Sequence, residues 1–267
     1  MLFFTDKGKC HWLKVHQIPQ TLRTSQGRAI VNLIGCEPGE KVKAFVSVKE
    51  FNKDHHIIMA TKKGMINRTP LSLYSKPRKG GVFAMGINEG DELIQAKISH
   101  GNDNIIMATS EGKSIRFKES AIRATGRRTK GVRGIRISKI DSVIGMLVLK
   151  QEGYVLVASE NGYGKRSNLG EYRTQNRAGK GVYTLKRTEK TGKLVSILEV
   201  VDTDDIMIIT DGGVMIRQTV SAIRTIGRNT QGVRLIKLDN GSKISSVTKV
   251  VKEDEETPTI EEQSTEE

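Results

Sequence analysis

The sequence predicts an all-β, propeller-like disc of five four-stranded repeats followed by a disordered acidic tail. Recurrence is the first reason. One phrase, an aliphatic run followed by Thr or Ser, polar residues and glycine, returns five times in 267 residues, with first glycines Gly8, Gly64, Gly112, Gly162 and Gly213. A second glycine follows 19 residues later in four repeats (Gly27, Gly131, Gly181, Gly232) and 17 later in the other (Gly81). Period is the second reason, because units of roughly 50 residues with short strands match propeller blades, which stack radially to bury both faces of each sheet. The third is the lack of any sustained 3.6-residue apolar periodicity, which excludes a helical solenoid.

Each repeat opens with a hairpin. The runs Leu2-Phe3-Phe4, Ile57-Ile58-Met59-Ala60, Ile105-Ile106-Met107-Ala108, Val155-Leu156-Val157-Ala158 and Ile206-Met207-Ile208-Ile209 read as strands, and the glycine supplies a positive φ for the turn. Strand-like segments follow the second glycine, as in Ala29-Ile30-Val31-Asn32-Leu33, Val132 to Ile137 and Val233 to Leu238. A further turn (Pro38-Gly39, Glu89-Gly90, Thr191-Gly192, Asn240-Gly241) precedes a last strand such as Leu194-Val195-Ser196-Ile197-Leu198. The domain is expected over residues 1–251, with repeats near 2–51, 52–102, 103–151, 152–203 and 204–251. No Trp-Asp dipeptide recurs, which argues against a WD40 array.

Charge narrows the partner. Lys plus Arg number 44 against 30 Asp plus Glu, a net +14. Residues 252–267 hold eight of those carboxylates and one lysine, so the body keeps 43 basic and 22 acidic side chains. Such a body attracts a phosphate backbone. The sequence shows neither an amphipathic basic helix nor a lipidation motif, and no apolar run long enough to span a bilayer, so a membrane partner is not expected. Two cysteines, Cys10 and Cys36, without CxxC spacing point to a reducing, cytoplasmic compartment.

The cations are periodic. The fourth residue after the first glycine is Arg68, Arg116, Arg166 or Arg217, with Trp12 in the first repeat. A second cluster surrounds the second glycine: Arg23 and Arg28; Arg78 and Lys79; Arg127, Arg128, Lys130 and Arg133; Arg177 and Lys180; Arg228 and Arg234. Equivalent positions in a radial array lie on one circumference, so both sets are expected to form a belt that contacts DNA phosphates without reading sequence. A solvated edge charge that discourages sheet pairing is the alternative for any single arginine.

Catalytic and cofactor motifs do not emerge. Gly112-Lys113-Ser114 lacks the upstream glycine of a phosphate-binding loop, since position 107 is Met107, and it lies in a hairpin turn. Gly162-Tyr163-Gly164 lacks the third glycine of a dinucleotide fingerprint. His11, His16, His55, His56 and His100 show no metal-ligand spacing. No cofactor and no catalytic residue are therefore expected in this chain.

The repeat phrases resemble the C-terminal domain of the DNA gyrase A subunit across residues 2–251. The phrases nearest that family are Met59-Ala60-Thr61-Lys62-Lys63-Gly64, Arg116-Phe117-Lys118-Glu119-Ser120, Gly131-Val132-Arg133-Gly134-Ile135, Asn161-Gly162-Tyr163-Gly164-Lys165-Arg166 and Gly227-Arg228-Asn229-Thr230-Gln231-Gly232-Val233. The resemblance implies a β-pinwheel whose blades exchange strands and whose basic perimeter wraps double-stranded DNA. It also implies the rest of the gyrase A subunit and the gyrase B subunit as partners in ATP-driven negative supercoiling by this topoisomerase, a bacterial nucleoid-associated location, and an acidic tail. The family usually has six repeats and a Gln-Arg-Arg-Gly-Gly-(Arg or Lys)-Gly box, whereas five repeats and no box occur here; Pro77-Arg78-Lys79-Gly80-Gly81 is the nearest phrase. None of the five tyrosines matches the DNA-cleaving tyrosine, which the family carries in an upstream domain. Other readings left open are the equivalent domain of the topoisomerase IV A subunit, a stand-alone DNA-compacting protein, and a propeller scaffold for acidic proteins.

Overall fold

The computed structural model describes residues 1–22, 24–239 and 241–250. Arg23, Asn240 and the acidic tail at 252–267 lie outside the described residues. Five antiparallel sheets follow one another along the chain. From the innermost strand outward, the first blade holds Val42–Val46, Leu2–Thr5, Lys9–Trp12 and Val82–Phe83. Leu93–Ser99, His56–Thr61, Met65–Pro70 and Val132–Arg133 form the second. The third is built from Val143–Leu149, Asn104–Thr109, Lys113–Lys118 and Val182–Tyr183. Leu194–Val200, Tyr154–Ser159, Tyr163–Asn168 and Val233–Arg234 make up the fourth. The fifth has only Ile244–Val250, Asp205–Thr210 and Met215–Thr219.

The second to fifth repeats therefore each lend a short strand to the blade before them. Val82 pairs with Cys10 and Phe83 with Lys9, and the same two-residue register recurs at Val132, Val182 and Val233. This corrects the expectation of five four-stranded units: among the described residues no strand reaches the edge of Met215–Thr219, and Val214, Met215 and Ile216 stay exposed there.

The apolar runs of the second, third and fourth blades are near-continuous because both faces of each are covered. In the strand His56–Thr61, Ile57 and Met59 pack toward the first blade while Ile58 and Ala60 pack toward the third. Ile105 and Met107 against Ile106 and Ala108, then Val155 and Val157 against Leu156 and Ala158, repeat the alternation. Each such aliphatic side chain contributes roughly 1.5 to 3 kcal/mol on burial. The five inner strands surround a central channel of about 920 Å³.

The segment after Gly27 is a second correction. It forms a short α-helix, Ile30–Ile34, ended by Gly35 in the left-handed conformation. Its Ile30, Leu33 and Ile34 cover Phe3 and Leu13 on the outer face of the first blade.

Candidate nucleic-acid interface

Three of the four arginines that follow the first glycines, Arg68, Arg116 and Arg166, lie at the joints between blades. Arg68 Nε is 3.0 Å from Glu119 Oε1, and its guanidinium also donates to the Ile122 and Gly101 carbonyls. Glu119 is wholly buried and accepts further bonds from Ser99 Oγ and the Asp103 N–H. Arg116 donates to Asn104 Oδ1 and to the carbonyls of Leu169 and Tyr172 in the next repeat, and burial lowers its pKa. Arg166 donates to the Ile223 carbonyl at 2.7 Å, pairs with Asp202 and stacks over the Tyr154 ring at 4.6 Å. In the last blade, Arg217 pairs instead with Asp205 of its own hairpin at 2.6 Å. Sequence reasoning placed Arg68, Arg116, Arg166 and Arg217 on a phosphate-binding belt; the structure uses them as interblade clamps and as a partner for Asp205.

The second set lies on loops at the ends of the blades away from the channel. The donated strands are the outermost of each sheet, opposite the strands around the channel, so the loops leading into them run along the perimeter. Arg28, Arg78, Lys79, Arg128, Lys130, Arg133, Lys180 and Arg234 are exposed, and Arg127 is half-buried. Among the described residues none of these nine forms an ion pair. Arg177 and Arg228 are half-buried and anchor their own loops, Arg177 to the Ala121 and Arg133 carbonyls and Arg228 to the Tyr183 carbonyl.

Side chains at the loop bases hold this perimeter in place. Thr125 donates to Asn67 Oδ1 at 2.7 Å and bonds Thr129, fixing the turn that carries Arg127 and Arg128 over the second blade. Lys165, fully buried, donates to the Gly227 and Arg228 carbonyls and to Thr230 Oγ1. Burial lowers its pKa to about 8.

Sequence reasoning missed two features of the same rim. Arg123, Arg173 and Arg224 are exposed, each eleven residues after a first glycine, a recurrence that was legible. Arg173 borders a groove of about 630 Å³ together with Lys118, Thr174 and Asn176. Exposed aromatic rings on the donated strands also carry cations: Lys9 and Arg128 over Phe83, and Lys113 over Tyr183. On the fourth blade, Arg234 and Lys190 flank Tyr163, and the bond from Arg234 to its hydroxyl lowers the Tyr163 pKa. All of these pairs except Lys190 with Tyr163 join different repeats, so no local pattern announces them.

A strand-exchanged, five-bladed all-β fold with a cationic perimeter defines a class of propeller-like domain. The profile of the DNA gyrase C-terminal domain, beta-propeller, matches residues 1–49, 55–100, 103–150, 153–200 and 204–250, and the chain belongs to this family. It is 40% identical over 262 residues to the DNA gyrase A subunit of Salmonella typhimurium, covering 97% of this chain and 30% of that protein. Over 258 residues it is 41% identical to the DNA gyrase A subunit of Staphylococcus epidermidis, with 96% and 29% covered. The chain thus spans about a third or less of the length of these relatives. A solved DNA gyrase A C-terminal domain superposes with a TM-score of 0.82 at 25% identity, covering 94% of this chain and 82% of that one. The C-terminal domain of DNA topoisomerase IV shares the fold, with a TM-score of 0.85 at 23% identity and 93% and 78% covered. Among the described residues no helix is long and apolar enough to cross a membrane.

Proposed function

We propose that the chain binds duplex DNA along its perimeter, bends it round the disc, and so serves as the DNA-wrapping domain of a gyrase A subunit. The observation that carries this reading is the recurrence of exposed cations on the perimeter loops of successive blades, at Arg78 and Lys79, Arg128 and Lys130, Lys180, and Arg234. Such contacts position a backbone and leave base edges unread, so binding is largely indifferent to sequence. Bending a 20 to 30 bp segment costs on the order of 1 to 6 kcal/mol, which several phosphate contacts offset. Within a holoenzyme containing the gyrase B subunit, the wrap would present a DNA segment for ATP-driven negative supercoiling, in the cytoplasm and on the nucleoid. This chain would contribute geometry, and the catalytic groups would come from elsewhere in the assembly.

Sealing a nicked circular plasmid with ligase in the presence of the chain tests the reading directly. A trapped linking difference that grows with protein is the expected outcome. Binding in a gel shift without any trapped difference would leave a DNA-binding domain that does not wrap. No affinity for duplex DNA at low salt would remove the reading altogether.

A further inference from the structure

The outer face of the first blade brings together three side chains that no sequence spacing connects. His11 stands on the strand Lys9–Trp12, Cys36 just beyond the helix Ile30–Ile34, and Glu40 at the entrance to Val42–Val46. One donor atom from each lies within 4.8 Å of the other two. His11 is 2% exposed and Glu40 5%. Both ring nitrogens of His11 are buried without a hydrogen-bond partner. Its Nε2 points at Glu40 Oε1 from 3.7 Å, too far for a hydrogen bond, and among the described residues no Lys or Arg pairs with that carboxylate.

A buried imidazole with no partner beside a buried carboxylate is an expensive arrangement unless something bridges them. We propose that His11, Cys36 and Glu40 form a zinc site that fastens the helix Ile30–Ile34 and the turn after it to the first blade. Imidazole, thiolate and carboxylate are the ligand types zinc accepts, and three protein ligands with a water completing the tetrahedron is a known arrangement. Zinc bonds of about 2.0 to 2.3 Å require donor atoms about 3.3 to 3.7 Å apart, so small side-chain rotations close the present spacing. The surroundings suit the metal. Thr5 Oγ1 donates to Glu40 Oε1 and the Glu37 N–H to Oε2, orienting the carboxylate as partners of metal ligands commonly do. A bound cation would displace the Cys36 thiol proton to solvent.

Cobalt(II) substitution tests the site. The chelator-treated chain should take up one Co²⁺ and show thiolate-to-metal charge-transfer absorption, which Zn²⁺ then displaces. Cys36→Ser and His11→Gln should abolish the band, and Cys10→Ser should preserve it. Thr5→Ala should weaken Zn²⁺ binding by about 10- to 100-fold. Should the ligand variants fold poorly, the wild-type chain still decides: one equivalent of Zn²⁺ must slow alkylation of Cys36, and added chelator must restore it. Absence of the charge-transfer band, or equal metal uptake by Cys36→Ser, overturns the proposal. The outcome is independent of DNA binding.

Discussion

At the scale of single residues, the same side-chain type performs two jobs that mutation separates. Arg68 faces the buried Glu119 carboxylate, so Arg68→Met leaves an uncompensated charge and should destabilise the domain by about 3 to 5 kcal/mol, read as a fall in the urea midpoint. The double variant Arg128→Gln, Lys130→Gln changes exposed side chains with no ion pair. It should leave the midpoint within about 0.5 kcal/mol and weaken DNA binding while reducing the salt slope by about 2. If Arg68→Met instead weakened DNA binding in a fully folded protein, the clamp assignment would fail. Lys165 adds a pH dependence. Its folded-state pKa of about 8 lies below the ordinary 10.5, so between those values the unfolded chain holds a proton that the folded chain has released. Stability from this group therefore rises with pH across that window and is level below it. Compared with Lys165→Met, the wild-type domain should gain in urea midpoint from pH 8 to pH 10.5; a constant difference would show that the ammonium is not desolvated.

At the scale of elements, strand exchange explains why the repeat signature is written in glycine. At Gly162, with φ of +84°, an added Cβ would sit 2.7 Å from the Ile236 carbonyl oxygen, just beyond the strand lent by the next repeat. Gly213 has nearly the same φ, +81°, but no heavy atom within 4 Å, because no strand is lent to its blade among the described residues. Gly213→Ala should therefore cost only the left-handed backbone, about 1 to 2 kcal/mol, whereas Gly162→Ala adds a backbone clash and should cost about 3 kcal/mol or more. Thermal unfolding of the two variants checks the difference; equal losses would mean the exchanged joint does not constrain Gly162. These glycines made the repeat count and the hairpins legible from sequence, since each marks a turn and most mark a close approach. The exchange itself was not legible from the residues, because the lent strands are two residues long and their partners lie about 70 residues away, as with Arg234 and Tyr163. Ile30-Val31-Asn32-Leu33 was misread for a related reason: β-branched residues suit a strand, yet a five-residue window cannot distinguish that from a helix turn aimed at Phe3 and Leu13. The clamp arginines were misplaced because a periodic cation looks alike whether it meets a phosphate or the carbonyl of the next blade.

At the scale of the whole molecule, DNA affinity depends on how charge is divided between body and tail. The body carries 43 basic and 22 acidic side chains, and eight further carboxylates lie in residues 252–267. Perimeter cations release condensed counterions when they meet phosphates, so the logarithm of the binding constant should fall linearly with the logarithm of salt concentration. About ten phosphate contacts correspond to a slope near −9. Carboxylates of residues 252–267 that reached the same cations would compete with DNA at an effective local concentration on the order of millimolar. Removing residues 252–267 should accordingly tighten DNA binding, most strongly at low salt where attraction between tail and body is least screened, with the gain shrinking as the Debye length falls below about 8 Å above physiological ionic strength. A gel-shift series on the full and shortened chains, across salt, measures both slope and offset. Identical curves would show that the tail does not engage the perimeter. A shortened chain that binds more weakly would reverse the sign of the proposal, making the tail a contributor to the complex instead of a competitor.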